Sequence, residues 1–166
     1  SIETLGIRNF KILINDREIF SKLSEKGFVS DEQLITVLRS LDKIKKIGDN
    51  GVIEELQSKG FSEELARAII SNAKTLKEND RIVKILNSLK EMEIDESKCI
   101  FDPTLARGLD YYTSTIIEAE VEGYSGGSIG GGGRYDSLIG MFAKKDIPAV
   151  GFSFGLDRLL EILSLD

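Results

Sequence analysis

The spacing of apolar residues divides this chain into a helical middle and a strand-rich last third. Residues 10–14 read FKILI, a short strand, and the polar Asn15, Asp16 and Arg17 close it. Asn15 and Arg17 are candidate functional residues, with a capped strand end leading into a solvated helix start as the favoured reading. A helix is predicted from Glu18, with Ile19, Phe20 and Leu23 on one side and Gly27 at its end. Residues 30–48 carry a stronger helical period through Leu34, Val37, Leu38, Leu41 and Ile44, and Ser30 with Gln33 has capping-box spacing. A second helix is predicted over 51–59, closed by Gly60. A third follows Ser62 through Leu65, Ala68, Ile69 and Ala73. A fourth follows Asp80, with Ile82, Ile85, Leu86 and Leu89 on one face. Together they predict a small bundle over residues 28–92.

Beyond Cys99 the period becomes two. Leu109, Tyr111, Thr113, Thr115, Ile117, Ala119 and Val121 alternate with Asp110, Tyr112, Ser114, Ile116, Glu118 and Glu120. This predicts a half-buried strand with one polar face over 109–121. A glycine-rich connection, GYSGGSIGGGG, leads into Arg134, Tyr135 and Asp136, and a helical turn is predicted over 137–142. Pro148 introduces the apolar strand AVGFSF, and Gly155 turns it into the helix LDRLLEIL, with Asp157 and Arg158 in its first turn. The expected order is strand, bundle, strand, glycine-rich loop, strand, helix, with the bundle inserted between strands of one sheet.

Composition narrows the function. The 166 residues have 41% hydrophobic and 30% charged side chains, as in ordinary globular domains. The net charge of −6, with both signs interspersed, argues against a surface that coats nucleic acid generally. Lys43, Lys45 and Lys46 are candidate RNA contacts, but read by default as a solvated helix face. One cysteine, Cys99, cannot form an internal disulfide, so a reducing, cytoplasmic setting is expected. No apolar run is long enough to span a bilayer, and no membrane partner is expected. No basic-then-apolar signal segment opens the chain. It starts at Ser1 without methionine, as expected of an excised fragment. Histidine is absent, which excludes a self-contained Ser-His-Asp or Cys-His site and any His-ligated metal; no metal site is expected.

The candidate chemistry lies between Arg107 and Arg158. Eleven of the 16 glycines fall at Gly108 or later. Gly151-Phe152-Ser153-Phe154-Gly155 matches a nucleophile-elbow pattern, but Ser153 has no histidine to act as its base. The run 126–133 lacks the Gly-Lys-Ser/Thr of a Walker loop and the placement of a dinucleotide fingerprint. Four consecutive glycines before Arg-Tyr-Asp instead imply close backbone approach. Arg107 and Arg158 are candidate anion ligands, because a guanidinium stays charged and grips two oxygens at once. Ion pairs with Asp110 and Asp157 are the structural alternative.

These residues resemble one family, the histidyl-tRNA synthetases. LARGLDYYT (105–113) and GGGRYDSLIGMF (131–142) are similar to its two histidine-specific signatures, and AVGFSFGLDRLL (149–160) to the third class II motif. The resemblance runs over 5–163 and is strongest over 101–163. It implies an α+β fold: part of a class II synthetase sheet, mixed and mainly antiparallel, with flanking helices and an inserted helical bundle. It implies a partial catalytic core over 1–20 and 98–166 and a helical insertion over 21–97. It implies histidine, ATP with Mg2+, and tRNA(His) as substrates, with no permanent cofactor, and a homodimer for the full-length protein.

By resemblance, Arg107 is the catalytic cation at the α-phosphate. Tyr111, Tyr112 and Tyr135 recognise the imidazole, Gly131 and Gly132 admit the amino acid, and Gly155 and Arg158 hold ATP. Ser114 stands where the family commonly has glycine, a small-for-small change expected to be tolerated. The first two class II motifs and the anticodon-binding domain are not in this sequence, so the chain alone is expected not to charge tRNA. Two other readings stay open: a catalytically silent paralogue regulating ATP phosphoribosyltransferase in histidine biosynthesis, and a synthetase-like tRNA-sensing module. The persistence of Arg107, Tyr111, Tyr112, Tyr135 and Arg158 favours the enzyme.

Overall fold

The computed structural model describes residues 2–108, 111–143, 145 and 147–164. Among them five strands form one mostly antiparallel sheet: β1 (Phe10–Asp16), β2 (Cys99–Phe101), β3 (Thr115–Val121), β4 (Gly130–Arg134) and β5 (Val150–Phe154), in the order β2-β1-β3-β4-β5. Seven α-helices accompany them: α1 (Ser21–Glu25), α2 (Asp31–Leu41), α3 (Ile44–Ser58), α4 (Glu63–Lys74), α5 (Asp80–Glu91), α6 (Asp136–Ala143) and α7 (Leu156–Leu163). The α+β expectation holds. β1 and β2 are the one parallel pair, so the whole bundle is the crossover between them.

Several boundaries differ from the sequence reading. β1 runs two residues beyond Ile14, because Asn15 and Asp16 pair with Ile116 and Thr115. Arg17–Phe20 is a 3₁₀ turn capped by the Asp16 carboxylate, and α1 follows it. The helix expected over 30–48 breaks after Leu41. Leu38, Leu41 and Ile44 stay buried on both sides of the break, so the apolar stripe continues across it and hides it. The capping box at Ser30 and Gln33 forms as expected. Gly48 takes a left-handed φ of 68°, which interrupts α3 where the sequence placed a helix end. The cap before α5 is Asn79, with Asp80 its first helical residue.

The last third departs further. β2 has no counterpart in the sequence pattern, since three residues are too few to show a period. β3 begins at Thr115 rather than at position 109; Leu109 and Asp110 lie outside the described residues. The tetraglycine is not a loop but β4, paired on one side with β3 and on the other with β5. Glycine has low strand propensity, so its sequence concealed a strand held by its neighbours.

The largest core joins the bundle to the sheet. Leu56, Ile69 and Ile82 are fully buried in it beside Ile14, Phe20 and Ala106. Each of the Leu, Ile and Phe side chains contributes about 2 kcal/mol by leaving water. Polar contacts fix the bundle's approach: Lys45 of α3 lies 3.0 Å from Asp102, just after β2, and 2.8 Å from Glu120 on β3. Burial opposes both charges. Glu120 and Asp102 nevertheless hold the Lys45 ammonium above its ordinary value, and Thr104 with Lys45 holds Asp102 below its own. Among the described residues no helix is long and apolar enough to cross a membrane.

Glu55 of α3 is held between Lys59 at 2.6 Å and Lys43 at 2.9 Å. The Lys59 hydrogen bond, opposed by burial and supported by Lys43, lowers its carboxyl from 4.5 to about 2. A carboxyl depressed on folding contributes stability above its unfolded pKa and loses it as pH falls through the folded value. Urea unfolding of the wild type is therefore expected to weaken between pH 4.5 and about 2 more steeply than that of Glu55→Gln. Parallel pH profiles for the two proteins would refute that role.

Candidate active site

The segment after β2 turns tightly before it reaches Arg107. The Asp102 carboxylate accepts from the Thr104 amide at 2.9 Å and its hydroxyl at 2.7 Å. The polar end of β1 then holds the chain at Leu105 and at Tyr112 by their carbonyls. Asn15, fully buried, donates from Nδ2 to the Leu105 carbonyl at 2.9 Å. Arg17 donates to the Tyr112 carbonyl at 2.6 Å. Asp16, also fully buried, pairs with Arg81 of α5. So Asn15 and Arg17, read from sequence as a capped strand end, hold the first signature in place from both sides.

Gly108 has φ of 68°, and a Cβ there would fall 1.9 Å from the Tyr112 ring. Only glycine lets the chain turn under that ring. The amides of Tyr111 and Tyr112 both return to the Gly108 carbonyl, and the two rings pack with centroids 4.3 Å apart. The alternation expected to send these tyrosines to opposite faces therefore does not apply, since the strand has not yet begun. Tyr112 is buried while Tyr111 is 44% exposed. Burial, with the Tyr111 hydroxyl next, pushes the Tyr112 phenol well above its ordinary value; Arg107 opposes this weakly. The phenol keeps its proton at neutral pH and can donate it to a ligand nitrogen.

Arg107 Nη1 donates to Glu118 Oε1 at 3.0 Å and to the Ser128 hydroxyl at 2.8 Å. Arg158 Nη1 donates to the Ser128 carbonyl. The ion pair thus joins Arg107 to Glu118, and Asp110 lies outside the described residues. A cavity of about 420 Å³ opens beside these groups, lined by Arg107, Tyr111, Tyr112, Gly131, Gly155 and Arg158 together with Ser128 and the end of β5. Six of the eight residues expected at the site therefore share one cavity.

The other two do not line it. Gly132 faces the opposite side of β4, where a Cβ would meet the Gly151 carbonyl at 2.2 Å. Tyr135 packs 6.4 Å from Tyr112, with its hydroxyl 2.4 Å from a Cβ at Gly151. A second cavity of about 600 Å³ lies on the bundle side of the two arginines, reaching Lys45 and Lys46.

Two polar residues of the site escaped the sequence reading. Glu118 lay on the polar face of the expected strand, which was the available signal. Ser128 sat inside a glycine-rich run with nothing to mark it. Ser114 is buried, and its hydroxyl has no hydrogen-bond partner among the described residues. A glycine there would remove a stranded polar group, which accords with a small residue at this position. Among the described residues no cluster of His, Cys, Asp and Glu is placed to hold a metal ion.

The chain is similar to known proteins in sequence and in fold. The family model described as histidyl-tRNA synthetase matches residues 1–159. A histidine–tRNA ligase of Christiangramia forsetii is 39% identical over 181 aligned residues, which cover 96% of this chain and 40% of the relative. The crystal structure of histidyl-tRNA synthetase from Nostoc sp. PCC 7120 matches with a TM-score of 0.80 at 28% identity, over 99% of this chain and 44% of that one. A Bacillus halodurans structure, described as an ATP phosphoribosyltransferase regulatory subunit/histidyl-tRNA synthetase, matches with a TM-score of 0.70 at 23% identity, over 98% and 47%. That last likeness shows the fold alone.

Proposed function

The chain belongs to the histidyl-tRNA synthetase family, and on that premise we propose that it supplies part of the catalytic domain of a histidine–tRNA ligase. The observation that carries this is the cavity where Arg107, Arg158, the tyrosine pair and the bare glycine strand meet. The substrates are histidine, MgATP and tRNA(His). A histidine carboxylate oxygen bonds to the α-phosphorus of ATP. The bond from that phosphorus to the bridging oxygen breaks, and its electron pair leaves with pyrophosphate. A hydroxyl oxygen of the terminal ribose of the tRNA then bonds to the carbonyl carbon of the adenylate, giving up its proton. The bond from that carbon to the phosphate oxygen breaks, and AMP leaves with the electron pair.

Arg107 sits against charge that grows on the α-phosphate in the transition state, where a preorganised cation is most effective. Arg158 and Gly155, at the start of α7, receive the outer phosphates of ATP. A neutral imidazole presents one donor and one acceptor, and the protonated phenol of Tyr112 with Tyr111 answers both. Gly131 leaves the amino acid room against the strand. Gly132 and Tyr135 act from outside the cavity, the first by closing β4 on β5 and the second by backing Tyr112.

Residues 1–20 and 98–166 form the catalytic part, and 21–97 the inserted bundle, placed to meet the tRNA acceptor end. The chain spans about 40% of the length of the Christiangramia relative. Val150 at 69% exposure and Leu156 at 68% leave apolar surface on the edge strand and on α7 that the rest of a longer protein would cover. That protein works as a homodimer in the cytoplasm, a reducing setting suited to the lone Cys99 thiol.

Pyrophosphate exchange tests the reading. The longer protein is expected to exchange labelled pyrophosphate into ATP with histidine and not with other amino acids. The isolated 166 residues are expected to give none. Failure of histidine to support exchange in the longer protein would overturn the enzyme reading in favour of a silent paralogue.

A further inference from the structure

We propose that Ser128 is a positioning residue that sets where both guanidinium groups stand, its hydroxyl holding Arg107 and its carbonyl holding Arg158. The inference rests on the reading of those arginines as phosphate ligands.

Ser128 is 7% exposed and lies at the point where the two side chains converge. The next residue, Ile129, is fixed from two sides. The Ile129 amide donates to the Ala119 carbonyl of β3 at 2.8 Å, and the Gly155 amide, at the start of α7, donates to the Ile129 carbonyl at 2.8 Å. Through Ile129, Ser128 is thereby anchored beside the strand beneath Arg107 and the helix that carries Arg158.

Around Arg107 the hydroxyl completes a cradle. Glu118 on β3 takes Nη1 at 3.0 Å, Ser128 takes the same nitrogen at 2.8 Å, and Gly131 on β4 leaves bare backbone where a Cβ would stand 2.7 Å from Cζ. A single carboxylate contact would let the guanidinium plane swing about it. Two acceptors on one nitrogen fix that plane, so the remaining N–H groups meet a substrate oxygen in one orientation. Glu118 supplies countercharge, and the neutral hydroxyl supplies direction without cancelling more of the positive charge that the phosphate needs.

The test uses the longer protein and pyrophosphate exchange at varied MgATP and histidine. Ser128→Ala is expected to lower kcat by about tenfold, the lower end for a hydrogen bond to a charged group, with the KM for histidine unchanged. Ser128→Thr, which keeps the hydroxyl, is expected to recover most of that loss. In an Arg107→Ala background, Ser128→Ala is expected to cost nothing further, because the serine acts through that arginine. Wild-type exchange in Ser128→Ala, with Arg107→Ala impaired, would overturn the inference and leave the enzyme reading standing. Equal losses in Ser128→Ala and Ser128→Thr with lowered melting temperatures would overturn it too, by showing a packing role alone. Normal exchange in Arg107→Ala would instead bring down the reading on which it rests.

Discussion

Arg107→Ala, made in the longer protein, is expected to cut histidine-dependent pyrophosphate exchange by more than about 100-fold, the scale of losing one preorganised donor to a developing negative charge. The size follows from how the side chain is held. Glu118 and Ser128 anchor Nη1, and Gly131 removes the side chain that would displace the guanidinium. Little reorganisation is then needed when charge appears on the phosphate. Arg107→Lys is expected to recover only part of the loss, since an ammonium keeps the charge but not the fork. The alanine variant also leaves Glu118 without its cation, so its folding must be followed by circular dichroism alongside the assay. A well-folded variant with near-normal exchange would remove Arg107 from the chemistry.

Gly132→Ala is expected to be the most damaging of the glycine substitutions in β4, lowering unfolding free energy by about 3 kcal/mol, the upper part of the range for overpacking. The added Cβ would fall 2.2 Å from the Gly151 carbonyl oxygen and 2.7 Å from the Phe152 Cα, both backbone atoms of the partner strand. Flexible side chains can move aside, but a paired strand cannot without giving up its ladder. At Gly131 the nearest atoms belong to the Arg107 side chain, so Gly131→Ala is expected to spare stability more than activity. Urea unfolding of the isolated chain checks the first expectation. An unchanged midpoint for Gly132→Ala would show that β5 can shift, and that the tetraglycine is not required for strand closure.

The two substitutions separate what each glycine does, and neither role is legible from composition. Four glycines in a row imply that something approaches closely. They do not say that Gly131 faces an arginine while Gly132 faces a neighbouring strand. That difference arises from the alternation of a strand, and a strand of glycines carries no period-two pattern to read.

The same limit explains the other gaps. Helical stripes such as Leu38, Leu41 and Ile44 announced the bundle because buried positions recur on one face, yet the stripe crossed the break after Leu41 without a mark. The signature marks Tyr111 and Tyr112 as a pair. Their contact at 4.3 Å depends on Gly108 turning the chain beneath them. Asn15 and Arg17 looked like a strand cap, since their partners at Leu105 and Tyr112 lie about ninety positions away in the chain.

The sequence alone determined the helical bundle, the terminal strand and helix, the absence of histidine chemistry within the chain, and the three signatures that announce the family. These follow from local periodicity and from residue identity in order. Tertiary structure alone decided that the tetraglycine is a strand, that Glu118 is the partner of Arg107, and that Ser128 joins Arg107 to Arg158. Those facts depend on which strands lie side by side, and pairing between distant segments leaves no periodic trace in either one.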